Sequence, residues 1–188
     1  MNKKNIRKKM LQIRNNIEKE VRNQKDEKIT EAFIDLLLKN NIKSVLLYAS
    51  FGSEVDTWRI FQFCLENSIK TAFPKVFGTQ LELYWVKDKK ELFPGYKSIL
   101  EPKNGVKAFI EEIDVIAVPG IAFDYKCLRI GYGGGYYDKV LENKKGVAVG
   151  LAYEEQIIDE IPAEPHDKRL DLIITDERVI SCVSQKKD

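Results

Sequence analysis

DVIAVPGIAFDYKCLRIGYGGGYYDKVL, residues Asp114 to Leu141, passes from an apolar run through a long loop into a glycine cluster and out toward a helix. Asp114 to Pro119 is rich in Val, Ile and Ala and is closed by Pro119-Gly120, the pattern of a buried strand stopped by a turn. A polar-to-aromatic loop follows. From Gly131 the chain has four glycines in five residues, then Tyr136, Tyr137 and Asp138 ahead of the helix-compatible Lys139-Val140-Leu141. Glycines at a helix start let backbone N–H groups approach phosphate oxygens, because no Cβ stands in the way and the helix dipole favours an anion there. The common glycine motifs do not fit. No GxxxxGK[ST] run occurs, and GxGxxG fails because Tyr136 takes the third glycine's place and eleven residues separate Gly131 from the turn at Gly120. Glycine content alone suits a chain-turning loop as well as a phosphate cradle.

A chain of 188 residues predicts a single domain spanning 1–188, because it can build one good core but hardly two. Hydrophobic content of 44% with 32% charged residues predicts a soluble globular protein. No apolar run approaches the roughly 20 residues of a membrane span. The N-terminus lacks a secretory apolar stretch, and Glu18 and Glu20 follow its basic residues too closely for a transit peptide, so a cytoplasmic protein without membrane partners is expected. A net charge of +2 disfavours nucleic-acid binding by the whole chain. Cys64, Cys127 and Cys182 are odd in number and lack CxxC spacing, which predicts three reduced thiols. His166, the only histidine, cannot build a multi-histidine metal site and has no GxSxG elbow to serve, so it reads as a surface or capping residue.

Ile6, Met10, Ile13, Ile17 and Val21 recur at helical spacing, with Lys3, Lys4, Arg7, Lys8, Lys9 and Arg14 on the other faces, predicting an amphipathic helix with a solvated basic front. A second helix is predicted from about Lys25 to Lys39, ended by Asn40-Asn41. Ser44 to Ala49 reads as a strand covered on both faces, followed by the loop Ser50 to Thr57 and a helix from Trp58 to Leu65, for which Asp56-Thr57 offer caps. Thr71 to Val76 and Leu81 to Val86 predict strands joined by a turn at Gly78-Thr79-Gln80, and Phe93 to Gly105 reads as an ordered surface loop. Gly146 to Ala152, Leu170 to Thr175 and a short Val179-Ile180 complete the strands. Alternating strand and helix patterns predict an α/β sandwich with a mostly parallel sheet and helices on both faces.

P-G-I-A-F-D followed by R-I-G-Y-G-G-G-Y-Y-D-K resembles the signature of the 5-formyltetrahydrofolate cyclo-ligase family, also called methenyltetrahydrofolate synthetases. K-K-N-I-R-K-K-M, Y-A-S-F-G-S-E-V-D-T and I-P-A-E-P-H-D-K-R-L-D-L-I-I-T-D fall in that family's order, so the resemblance covers nearly the whole chain. It implies a three-layer fold like that of ribose-phosphate isomerases and CoA transferases. It also implies a reaction: 5-formyltetrahydrofolate and ATP give 5,10-methenyltetrahydrofolate, ADP and phosphate, with Mg2+ as the metal and the two small molecules as the partners of a monomer. Phosphorylating the formyl oxygen makes it a leaving group that N10 can expel, a task mainly of positioning and charge neutralisation.

Carried over by position, the resemblance assigns ATP binding to Lys3, Lys4, Asn5, Ile6 and Arg7, and to Arg129, Ile130, Gly131, Tyr132, Gly133, Gly134, Gly135, Tyr136 and Tyr137. Arg129 is the implied catalytic cation. Ala49, Phe51, Glu54 and Tyr132 to Tyr136 are the implied folate contacts, with the Glu54 carboxylate suited to the donor groups of a pterin. Asp138 and Asp171 are the implied magnesium ligands, with Asp124 and Asp167 as weaker candidates. Tyr132 and Gly134 depart from relatives that carry basic residues there. Two other classes compete: a sugar-phosphate isomerase or transferase on the same fold, needing a carboxylate and lysine pair, and an RNA- or nucleotide-binding module built on the basic helix.

Overall fold

The apolar runs lie side by side in the centre of one sheet, in a computed structural model that describes residues 1–182. The chain begins with helices α1 (Lys3–Asn15) and α2 (Lys19–Lys39), strand β1 (Ser44–Leu46) and helix α3 (Trp58–Glu66). Strands β2 (Lys70–Phe77), β3 (Gln80–Val86), β4 (Leu92–Pro94), β5 (Leu100–Pro102), β6 (Lys107–Ala108), β7 (Val115–Val118), β8 (Ala122–Asp124) and β9 (Arg129–Ile130) follow. Helix α4 (Tyr136–Leu141) precedes β10 (Val147–Leu151), β11 (Ile157–Ile158), β12 (Leu172–Ile174) and β13 (Val179–Ser181). The main sheet has the order β13-β12-β10-β7-β1-β2-β3-β6. Its interior from β12 to β2 is parallel, and antiparallel strands close both edges. The expected mostly parallel α/β architecture is the observed one.

Period-two alternation explains why the central strands are apolar throughout. Val45, Leu47, Val115, Ala117 and Val149 face the layer of α2 and α3, where Ile29, Phe33 and Phe61 are buried. Leu46, Ile116, Val118, Ala148 and Ile173 face the other way, toward Phe123 and Leu141. A strand buried on both faces has no solvent side on which polar residues gain anything. Each fully buried Phe or Ile contributes roughly 1.5–3 kcal/mol, so Phe33, Phe73 and Phe123 hold the layers in place.

Four expectations are corrected. The first helix stops at Asn15: the Asn16 N–H turns back to the carbonyls of Gln12 and Ile13, and Glu18 is extended, so α2 begins at Lys19 rather than Lys25 and Val21 is exposed on it. The stretch from Phe93 to Gly105 is not a plain loop, because β4 and β5 pair as a hairpin around a helical turn at Tyr96–Ser98. The loop before the glycines contains β8 and β9, joined with β11 in a small second sheet. Its turn is built on Asp124, whose carboxylate accepts the N–H groups of Lys126, Leu128 and Ile161 and is thereby committed to the backbone. Finally, Cys127 and Cys182 form a disulfide, with Cα atoms 5.9 Å apart, because that turn and β13 meet in space; of the three expected free thiols only the buried Cys64 remains.

Candidate active site

Pro119-Gly120 ends β7 and the loop from Ser50 to Thr57 follows the extended run out of β1, so both segments emerge at the carboxyl edge of the sheet, where open α/β sheets hold ligands. A cavity of about 840 Å³ opens there. The glycine loop, the front of α1, the loop around Glu54 and the β4–β5 hairpin form its walls. It is large enough for more than one small molecule.

At one end the groups suit phosphates. Gly133 and Gly135 have φ of 102° and 68°, left-handed values that favour glycine, and α4 begins directly afterwards. A Cβ at Gly131 would lie 2.6 Å from Arg129 Nη1, so that glycine is needed for the arginine to pack against the loop. Arg129 Nη1 donates to the Pro119 carbonyl at 3.1 Å, and its guanidinium lies over the Tyr137 ring, 5.3 Å from the centroid. Burial pulls its pKa down, against the pull of Asp138, and its Nε–H has no partner among the described residues. Arg7 Nε donates to the Gly131 carbonyl at 2.7 Å, and Lys3 Nζ lies 2.5 Å from Asp167. Of the five N-terminal residues expected at ATP, only Lys3 and Arg7 line the cavity. Lys4 and Asn5 point to solvent and Ile6 packs under the loop with Met10, Ile121 and Ile130, because a helix can turn only one stripe toward the site.

The opposite end is apolar and aromatic around one buried carboxyl group. Tyr48, Ala49, Phe51 and Glu54 line it. Glu54 is 8% exposed, and burial pushes its pKa up to about 7, partly offset by the Phe51 N–H and by Arg14. The Phe51 and Tyr132 rings stack with centroids 6.5 Å apart. Tyr96, Ile99 and Leu100 of the hairpin close this end. Sequence reading missed all three, since nothing in their composition signals a ligand.

The two expected metal ligands part company. Asp138 lies beside His166 and Asp167, each offering a ligand atom within 4.8 Å of the others'. Asp171 does not reach the cavity: it precedes β12 at the amino edge of the sheet, accepting the Ala148 N–H at 2.8 Å and pairing with Lys144 at 2.9 Å. Asp167 thus takes the place expected of Asp171. Burial opposes ionisation of Asp167, but hydrogen bonds from Lys3 and the Glu164 N–H outweigh it and hold the carboxyl below its usual range. His166, read as a surface residue, is indeed exposed but stands on the cavity rim.

Comparison with known proteins identifies the family. The sequence profile of the 5-formyltetrahydrofolate cyclo-ligase family matches residues 1–176. The chain is 31% identical over 174 residues to the 5-formyltetrahydrofolate cyclo-ligase of Haemophilus influenzae, covering 86% of this chain and 91% of that one. It is 31% identical to the Mycoplasma pneumoniae enzyme of the same name over 94% of this chain and 100% of that one. The NMR structure of Aquifex aeolicus 5,10-methenyltetrahydrofolate synthetase superposes with a TM-score of 0.90 at 34% identity, covering 100% of this chain and 96% of that one. The chain belongs to the 5-formyltetrahydrofolate cyclo-ligase family, whose members convert 5-formyltetrahydrofolate to 5,10-methenyltetrahydrofolate in an ATP-dependent reaction.

Proposed function

We propose that both substrates of this ATP-dependent cyclo-ligase meet in the one cavity, ATP against the glycine loop and folate against Glu54. The observation that carries the assignment is the division of a single cavity into a cationic, glycine-rich end and an aromatic end with one buried carboxyl. Backbone N–H groups of Gly131 to Gly135, with Lys3, Arg7 and Arg129, hold the triphosphate. Ala49 and Phe51 wall the pterin, whose N–H donors draw Glu54 into its ionised, acceptor-only form. The γ-phosphoryl passes from ATP to the formyl oxygen, leaving ADP; N10 then attacks the formyl carbon and gives up its proton, and phosphate leaves with the formyl oxygen. The protein's part is to align the two ends and, through Arg129, to neutralise charge that builds on the transferring group.

Two carboxylates facing one another fit magnesium, which prefers one or two such ligands beside waters and phosphate oxygens. Asp138 and Asp167 would hold it, and the metal would supply further neutralisation of the phosphates. We place the protein in the cytoplasm as a monomer; light scattering on the purified chain tests the latter. The described helices include none long and apolar enough to cross a membrane. The deciding assay follows the methenyl chromophore from 5-formyltetrahydrofolate with ATP and magnesium each present or omitted. Product requiring all three components is the expected result; ATP hydrolysis without chromophore, or chromophore without ATP, overturns the reading.

A further inference from the structure

Arg14 does not line the cavity, yet from behind it touches the loop around Glu54, the glycine loop and the turn after β7. It sits in the last turn of α1, 3% exposed. Its Nε donates to Ser53 Oγ at 2.9 Å, Nη1 to the Gly120 carbonyl at 3.2 Å, and Nη2 to the Tyr132 hydroxyl at 2.8 Å. Ser53 in turn donates to Asn15 Oδ1 at 2.5 Å, which fixes its hydroxyl as an acceptor for Arg14. Every one of these acceptors is neutral. Glu54 is close enough to feel its charge but is not one of its hydrogen-bond partners, so the buried guanidinium is held by neutral acceptors that fill its fork in a fixed geometry and define one arrangement of the surrounding chain.

The arrangement concerns the aromatic pair. Ser53 is two residues from Phe51, and Tyr132 is held at its hydroxyl, so one rigid fork spans both supports of the stacked rings. Their centroids lie 6.5 Å apart with planes 28° from parallel, close to twice the roughly 3.5 Å contact spacing of carbon atoms. Two contact distances come to about 7 Å, so the pair as it stands is a stacked contact that has to open by roughly half an ångström or more to take one flat ring. Both rings are nearly half exposed, so the pair faces the cavity rather than the core. Burial is the main cause holding the Tyr132 hydroxyl well in its protonated form.

We propose that Arg14 is a positioning residue for folate recognition: it sets the gap between Phe51 and Tyr132, and the pair opens to take the pterin ring between them. The inference rests on the folate end assigned above. It gives Tyr132 two separate duties, a backbone that serves the phosphates and a ring that serves the pterin. Tyr132→Phe keeps the ring and removes only the acceptor for Arg14, whereas Arg14→Met removes the fork and Arg14→Lys restores a single donor.

The native protein is assayed first by methenyl formation, so that failure of the functional reading is seen separately. Tyr132→Phe and Arg14→Met are each expected to raise the Michaelis constant for 5-formyltetrahydrofolate, Arg14→Met on the order of ten-fold, with the constant for ATP changed by less than about two-fold. The double variant should be no worse than Arg14→Met alone, because both changes cut the same link. Arg14→Lys should recover part of the loss. An active native enzyme whose Tyr132→Phe variant keeps native folate dependence overturns the inference even if Arg14→Met fails to fold. Additive effects in the double variant, or equal rises for ATP and folate, overturn it as well.

Discussion

The two ends of the cavity are held in place by different means. At the phosphate end the donors are backbone N–H groups and partly exposed cations, and their positions follow from glycine φ values and the start of α4. At the end proposed for folate the polar groups are buried side chains, Glu54, Tyr48 and the Arg14 fork, whose positions follow from packing. A triphosphate carries enough charge to be captured by groups that remain solvated, and only its transition state needs one fixed cation. A nearly neutral ring is recognised by shape and a few donors, which requires desolvated partners at fixed positions. The comparison teaches that substitutions at the first end should act on ATP dependence or turnover with little effect on stability. Those at the second should move folate affinity and stability together.

The largest expected effect is at Arg129. Replacing it with Met should lower turnover by about two orders of magnitude or more, as removal of one transition-state donor typically does, while folate binding measured without ATP stays near native; a loss confined to binding would reassign Arg129 to ground-state recognition. Next comes Glu54→Gln, expected to weaken folate binding by roughly ten-fold or more, since an amide puts a donor against pterin donors. This variant also tests the electrostatics. The folded-state pKa of Glu54 is raised, from 4.5 to about 7, so the native protein retains a proton that the unfolded chain has lost, and stability falls as pH rises through that window. Glutamine cannot ionise, so the variant should gain on the native protein between those pH values, by up to on the order of 3 kcal/mol above pH 7. Melting curves against pH with a constant difference between the two proteins would refute it.

Lys3→Ala with Arg7→Ala should raise the Michaelis constant for ATP about ten-fold, with melting temperature nearly unchanged. If stability falls as much as ATP affinity, the two ends are less distinct than their geometry indicates. The smallest effect is expected at Asp171→Asn, which should leave the magnesium titration of activity native and cost about 1 kcal/mol of stability through the Ala148 and Lys144 contacts. Asp138→Asn should raise the magnesium required. Identical titration curves for the two variants would show that Asp138 does not hold the metal.

The glycine loop was legible in sequence as a motif rather than as a composition: four glycines fit a chain-turning loop equally well, and the ordered match of Arg129 to Asp138 with the family signature is what pointed to phosphates. The central strands were legible from their unbroken apolar runs. The roof over the folate end was not, because β4 and β5 pair mainly with each other, and Tyr96 and Leu100 become ligand-facing only once the hairpin folds back. Asp171 misled because motif position carries no direction. Lying ahead of a parallel strand, it belongs to the sheet edge opposite the ligand edge, while Asp167, a few residues earlier, is carried back across to Lys3. Arg14 looked like one more solvated charge because apolar periodicity counts only apolar residues, although it stands four residues beyond Met10 and eight beyond Ile6, in line with the buried face of α1. The pairing of Cys127 with Cys182 depends on where a turn and an edge strand meet, which no spacing rule encodes.

Helix α1 is set off from α2 by a break at Asn16 to Glu18 and rests on a small cluster of its own, Ile6 and Met10 against Ile121, Leu128, Ile130 and Ile161. Two of its other ties, Arg7 to Gly131 and Arg14 to Tyr132, run through the glycine loop, beside those to Ser53, Gly120 and Asp167. Elements with so little shared core are the first to open locally, exchanging their amide hydrogens without unfolding of the whole. A ligand that holds the glycine loop must then also hold the helix, and at one hundred times its dissociation constant it adds about 2.7 kcal/mol to the free energy of that opening. Amide exchange along α1 is therefore a gauge of site occupancy, slowed by nucleotide far more than exchange in the central strands, where the sheet already sets the limit.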